Sequence, residues 1–138
     1  MNTLMKTTMT ALALLAAPVA MAAPVTLEVT DGGKALTGDA EKGKSVFNKC
    51  TACHSLKAGE NRVGPTLAGV IGRTAGSVAG FAYSPANKAS GIVWSEQKIF
   101  DYLLKPNAMV PGTKMVFIGL PSAQDRADVI AYLKENAK

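Results

Sequence analysis

The sequence predicts an all-α domain of three main helices joined by long irregular loops. Three observations carry the prediction. Apolar side chains recur at helical spacing in three separate stretches, glycine and proline crowd the segments between them, and neither an internal repeat nor a strand ladder appears. At 138 residues, 48% apolar and 18% charged, the chain fits one globular domain and is too short for two ordinary ones.

The N-terminal stretch stands apart. Within residues 1–22, Lys6 is the only charged side chain, and an apolar run from Ala11 to Ala17 leads past Pro18 to Ala20-Met21-Ala22, the pattern of a secretory signal peptide cleaved near Ala22 or at Ala23. A retained membrane anchor fits less well, because a spanning helix needs roughly 20 apolar residues and the run from Thr10 to Ala23 is shorter and holds a proline. Residues 23–37 follow as a loose leader. Val25, Leu27 and Val29 alternate before Gly32-Gly33, but the alternation is too brief to establish a strand.

The domain is expected from residue 38 to 138. Asp39 can cap a first helix that places Ala40, Gly43, Val46, Phe47 and Cys50 on one face and delivers Cys50 at its end. A short helical turn fits Ser84 to Ala89. Ser95 can cap a second main helix with Ile99, Tyr102 and Leu103 inward, and Pro106 ends it. Ser122 can cap the last, Ala123 to Asn136, with Asp125 three residues on and Arg126, Val129, Ile130 and Leu133 as its buried stripe. Between the first helix and the short turn, Gly59, Gly64, Gly69, Gly72, Gly76 and Gly80 with Pro65 keep regular elements short. Three helices alone are a thin core, so a buried cofactor is expected to supply the missing apolar mass.

Removing 22 of 138 residues leaves 116, with 14 Lys and Arg against 10 Asp and Glu, a net charge of +4. Only three arginines are present, which excludes the dense basic face of a nucleic-acid binder; the surplus suits docking to an acidic protein surface. The two cysteines of an exported chain ordinarily suggest a disulfide, yet a bridge from Cys50 to Cys53 closes a loop too small to constrain the unfolded chain.

Cys50-Thr51-Ala52-Cys53-His54 has the C-x-x-C-H spacing of c-type haem attachment, in which two thiols reach two vinyl groups and the next residue offers imidazole to iron. The chain has no other cysteine and no other histidine. A structural zinc site needs four ligands and only three exist here, and thioredoxin-like exchange expects a βαβ context that is missing. The opposite axial position falls to Met115 ahead of Met109, the two methionines outside the signal peptide. Met115 ends Val110-Pro111-Gly112-Thr113-Lys114-Met115, a loop stiffened by Pro111 and turned by Gly112. With His54 and Met115 as metal ligands, the iron changes oxidation state without exchanging ligands, which makes an electron carrier and not an enzyme. The alternative is a five-coordinate haem protein that binds small gases or reacts with peroxide.

Five ordered segments, GDAEKGKSVFNKCTACH, VGPTLAGVIGRTAG, GFAYSPANKASGIVW, YLLKPNAMVPGTKM and DVIAYLK, resemble the class I cytochromes c of the mitochondrial and bacterial c2 type along nearly all of Gly38 to Lys138. The resemblance implies the class I cytochrome c fold, three main helices and long loops wrapped around one covalently bound haem c. It implies that the carbonyl of Pro65 accepts a hydrogen bond from His54, that Arg73, Tyr83, Asn87 and Trp94 surround the haem propionates, and that Tyr102 and Thr113 hydrogen-bond near the axial sulfur or the inner propionate. Gly43 and Phe47 match positions that meet Val129 and Tyr132 where the first and last helices cross. Asn61 stands where vertebrate relatives have a second histidine, and Lys49, Arg62 and Lys114 remain of a fuller ring of docking cations. A monomer is implied, with a cytochrome bc1-type complex or a dehydrogenase as donor and a terminal oxidase or photosynthetic reaction centre as acceptor. The expected place is the periplasm, with at most peripheral membrane contact and no nucleic acid.

Overall fold

The computed structural model describes residues 22–138, so the expected signal peptide lies outside the described residues except for Ala22. Five helices follow an N-terminal hairpin: α1 Ala40–Phe47, α2 Pro85–Ala89, α3 Glu96–Leu104, α4 Pro106–Met109 and α5 Ala123–Asn136. The three main helices are the three expected, and among the described residues none is long and apolar enough to cross a membrane.

The caps are the ones the sequence offers. Asp39 takes extended backbone and its carboxylate accepts from the amides of Glu41 and Lys42. Ser95 accepts from Lys98, and Ser122 accepts from Asp125. Each satisfies an amide that has no partner within its helix and contributes about 1 kcal/mol. Helix α1 stops at Phe47, a turn earlier than expected. The chain goes on as tight turns in which Cys50 donates to the Phe47 carbonyl at 2.8 Å and His54 to the Cys50 carbonyl at 2.9 Å. Helix α4 was not expected. Pro106, read as a stop for α3, is also the first residue of α4, where its missing N–H costs nothing.

Helix α5 is the axle of the core, with Ala127, Val129, Ile130 and Leu133 buried along it. Helix α1 crosses it at Gly43, the Phe47 and Tyr132 rings packing 5.2 Å apart. Arg126 is buried with its guanidinium 4.2 Å above the Phe100 ring of α3, and it donates to the carbonyls of Leu120 and Pro121. Its long stem is core and its head anchors the loop that enters α5.

The leader expected at residues 23–37 is ordered, which corrects the sequence reading. Strands β1 (Val25–Asp31) and β2 (Lys34–Gly38) pair antiparallel around Gly32-Gly33, both at positive φ (56° and 84°), as a two-residue hairpin turn of this hand requires. An isolated two-stranded hairpin is marginal in water; this one is held by the helices. Leu27 and Val29 are buried in the core, and the outer edge of β1 is satisfied by side chains. Glu96 accepts from the Glu28 amide at 2.6 Å, Gln97 accepts from Thr30 and donates back to its carbonyl, and Lys134 donates to the Thr26 carbonyl. Lys134 also pairs with the buried Glu96 carboxylate at 2.7 Å, so a single charge pair ties β1 to α3 and α5. Leu27→Ala is therefore expected to destabilise the holoprotein by about 2–5 kcal/mol, measured by calorimetry; a loss below about 0.5 kcal/mol, typical of a surface site, would show that the hairpin is a dispensable attachment.

Candidate haem-binding site

Most of the chain between α1 and α3, and between α4 and α5, has no long regular element, and these loops close with the main helices around a cavity of about 260 Å³. Ile99 and Leu103 of α3, Val129 and Leu133 of α5, and Leu67 and Val70 of the long loop form its apolar wall. All eleven residues expected at the site line this one cavity: Cys50, Cys53, His54, Pro65, Arg73, Tyr83, Asn87, Trp94, Tyr102, Thr113 and Met115.

His54 is brought in by the turns that follow α1 and is fixed from outside. Its Nδ1 lies 2.8 Å from the Pro65 carbonyl. A carbonyl can only accept, so Nδ1 carries the proton and the Nε2 lone pair is left free. Burial holds the imidazole below its ordinary pKa, with the Pro65 hydrogen bond opposing and Arg73 adding to the depression. A neutral ring with one free lone pair is the form that binds a metal. Gly64 allows this contact, because a Cβ there would fall onto the imidazole. The sequence reading missed Gly64, although its place before Pro65 was a signal that backbone approaches something closely.

Met115 lines the same cavity from the loop after α4. Tyr102 donates to its Sδ at 3.2 Å, and the Met115 amide donates to Thr113 Oγ1 at 3.2 Å. The thioether is thereby held by a hydroxyl from α3, and the Met115 backbone by one from its own loop. Burial raises the Tyr102 phenol above its ordinary pKa, which keeps it a donor. The Trp94 ring packs 4.8 Å from Tyr102 and fixes the phenol from behind.

Cys50 and Cys53 are half-buried free thiols on the cavity wall. Burial pushes the Cys50 thiol up to about 11, Cys53 adding to the rise and Lys49 opposing it. Its pKa is the reverse of the depressed value that marks an exchange cysteine. The expected propionate donors have distinct partners here. Arg73 donates to the carbonyls of Ala68 and Thr66, clasping the loop while its charge stays at the cavity; the Tyr83 hydroxyl accepts from Val78. Asn87 keeps a buried amide oxygen with no partner. An orphan of that kind costs about 1–3 kcal/mol; being an acceptor it needs a donor, so only the Nδ2 of this amide, and not the oxygen, could donate to a haem carboxylate. One apolar cavity with two thiols, a free imidazole nitrogen and a held thioether fits a haem.

Asn61 does the work of a cross-loop clip, accepting from the Thr66 amide at 3.0 Å and donating to the Ala79 carbonyl at 3.1 Å. The three expected docking cations differ in their surroundings. Arg62 pairs with Glu60 at 2.6 Å and donates to the Thr51 carbonyl, Lys114 donates to the Ala82 carbonyl, and Lys49 lies exposed on the cavity lining.

The family model for cytochrome c matches residues 40–137, so the hairpin precedes the matched region. Cytochrome c 2.1 of Caenorhabditis briggsae is 54% identical over 98 residues, covering 70% of this chain and 88% of the relative. Cytochrome c-550 of Nitrobacter winogradskyi is 50% identical over 99 residues, 71% of this chain and 91% of the relative. Among solved structures, cytochrome cH from Methylobacterium extorquens matches with a TM-score of 0.67 at 45% identity, covering 71% of this chain and 99% of that one. With this fold, this cavity and these relatives, the chain belongs to the class I cytochrome c family and is an electron carrier, not an enzyme, with one covalently bound haem c.

Proposed function

We propose that Cys50 and Cys53 hold the haem through thioether bonds and that His54 Nε2 and Met115 Sδ are its two axial ligands. The observation that carries this reading is that His54 and Met115 line the same cavity, each already fixed by a hydrogen bond with an atom that does not bind iron: His54 donates to Pro65 O, and Met115 Sδ accepts from Tyr102 Oη. Held by these residues, a haem would supply one-electron chemistry without exchange of a protein ligand. A thioether opposite imidazole in a buried site favours the ferrous state and raises the potential. Pro65 and Tyr102 keep both ligands in place between oxidation states. Arg73, Tyr83, Asn87 and Trp94 form the polar end of the cavity, where haem carboxylates would find donors and a positive charge.

The proposed setting is the periplasm, after export directed by residues 1–22. There a single copy of the chain takes electrons from a cytochrome bc1-type complex or a dehydrogenase and gives them to a terminal oxidase or reaction centre. The apolar N-terminal run ending in small residues supports export.

The test is the absorption spectrum of the haem-loaded protein in both oxidation states, with carbon monoxide added to the reduced form. A low-spin spectrum with a ferric sulfur-to-iron charge-transfer band, unchanged by carbon monoxide, is expected. A high-spin spectrum that shifts with carbon monoxide would mean an open iron and end the His54 and Met115 assignment.

A further inference from the structure

Neither strand of the hairpin lines the haem cavity, and both precede the residues that the cytochrome c family model matches. Their ties run to the two helices that do line it. Along β1, the Thr26 carbonyl accepts from Lys134 of α5, the Glu28 amide donates to Glu96 of α3, and the Thr30 backbone exchanges two hydrogen bonds with Gln97 of α3. Leu27 and Val29, the alternate residues, are buried in the same core as Ile99, Leu103, Val129 and Leu133, the cavity wall. The strand is a strap fastened to α3 and α5 at once. Its main fastening is Glu96, which is 6% exposed and has both carboxylate oxygens engaged, one by Lys134 at 2.7 Å and the other by the Glu28 amide at 2.6 Å.

We propose that Glu96 is a positioning residue for the axial methionine: fastened to Lys134 and to the hairpin, it sets α3 so that the Tyr102 hydroxyl keeps Met115 in place. The inference rests on the His54 and Met115 assignment above and deepens it by naming what holds the methionine from outside the cavity. Glu96 is the first residue of α3, and the helix runs unbroken from there to Leu104. Nine residues span about 14 Å and turn as one rod, so the place where Glu96 is held decides where Tyr102 points. Tyr102 donates to Met115 Sδ, and Leu103 accepts from the Leu120 amide, five residues beyond the methionine. A displacement at the fastened end of α3 therefore reaches Met115 by two routes. A buried carboxylate stays where it is only while its partners compensate it, so the fastening is firm when complete and fails when either charge is removed.

The test mixes the full-length haem-loaded ferric protein with excess imidazole, which takes the sixth position whenever the methionine leaves it, and times the loss of the sulfur-to-iron charge-transfer band by stopped-flow absorption. Such exchange reports a local opening and does not require the domain to unfold. Glu96→Gln keeps the shape and an acceptor for the Glu28 amide but removes the charge, and it is expected to speed the exchange about tenfold or more. Gln97→Ala removes the milder tie to Thr30 and is expected to speed it about threefold. Asp39→Ala, which removes the cap of α1 and touches nothing on α3, is expected to lower Tm yet leave the exchange within about twofold of the parent. If Glu96→Gln does not fold around haem, Gln97→Ala against Asp39→Ala decides the matter. Exchange unchanged in the α3 variants, or sped equally by Asp39→Ala, overturns the proposal and leaves the methionine assignment standing. A parent protein without the sulfur-to-iron band overturns that assignment itself, so the two failures are distinguishable.

Discussion

Replacing both cysteines, Cys50→Ala with Cys53→Ala, is expected to abolish covalent haem and most of the folded structure with it. The chemical part follows from the inventory. Cys50 and Cys53 are the only thiols in the chain, so no other sulfur can form a thioether. The structural part follows from the cavity. Emptied of haem, its wall of Ile99, Leu103, Val129 and Leu133 would lose the apolar mass that covers it and face water, which finds few partners there, in a domain typically held together by only about 5–15 kcal/mol. The two halves of the prediction are read separately, haem-dependent staining after denaturing electrophoresis for the bond and far-ultraviolet circular dichroism for the helices. Haem retained in the denaturing gel would sink the assignment of the thioethers. Native helicity without haem would show that the protein core alone is sufficient.

Much of this molecule was legible in its sequence because its signals are local. Ser95 and Ser122 are caps recognisable from one turn of sequence, and the stripe Arg126, Val129, Ile130 and Leu133 needs only the helical period. Cys50, Cys53 and His54 are adjacent, and their spacing carries the chemistry on its own. Pro65, Arg73, Asn87 and Thr113 were different. Nothing in their immediate neighbours points to a cavity, and they were placed by resemblance to a family whose order of segments this chain follows. The hairpin was misread for the opposite reason. Its alternation and its Gly-Gly turn were visible, but the stabilising partners are Glu96, Gln97 and Lys134, roughly seventy to a hundred residues away, and no local pattern announces them. Helix α4 was missed because Pro106 reads equally well as the end of one helix and the start of the next.

Gly43→Ala is expected to lower stability by a net 2 kcal/mol or more, at about the upper end of an overpacking cost of 1–3 kcal/mol or beyond it, and to disturb the haem pocket at a distance. Two effects oppose one another here. Alanine favours the helix over glycine by about 1 kcal/mol. Against that, a Cβ at position 43 would fall onto the Asp128 carbonyl and come within 2.8 Å of the Tyr132 Cβ. The first obstacle is helix backbone, which has no side-chain torsion to give way, so α1 and α5 must separate. Separation breaks more than the local contact. Asp128 also accepts from the Asp39 amide at 2.8 Å, so the start of α1 is tied to the same turn of α5, and Phe47 packs on Tyr132 one turn further along. Helix α1 leads directly to Cys50, while Val129 and Leu133 of α5 form the facing wall, so the crossing sets the distance between the attachment site and that wall. The expected readouts are a fall in Tm of about 10 °C and a weakened sulfur-to-iron charge-transfer band. Lys44→Ala, on the exposed face of the same helix, should stay within about 0.5 kcal/mol of the parent. Equal stability of Gly43→Ala and the parent would mean that the crossing can open without cost, and the close approach at Gly43 would then have no part in holding the site.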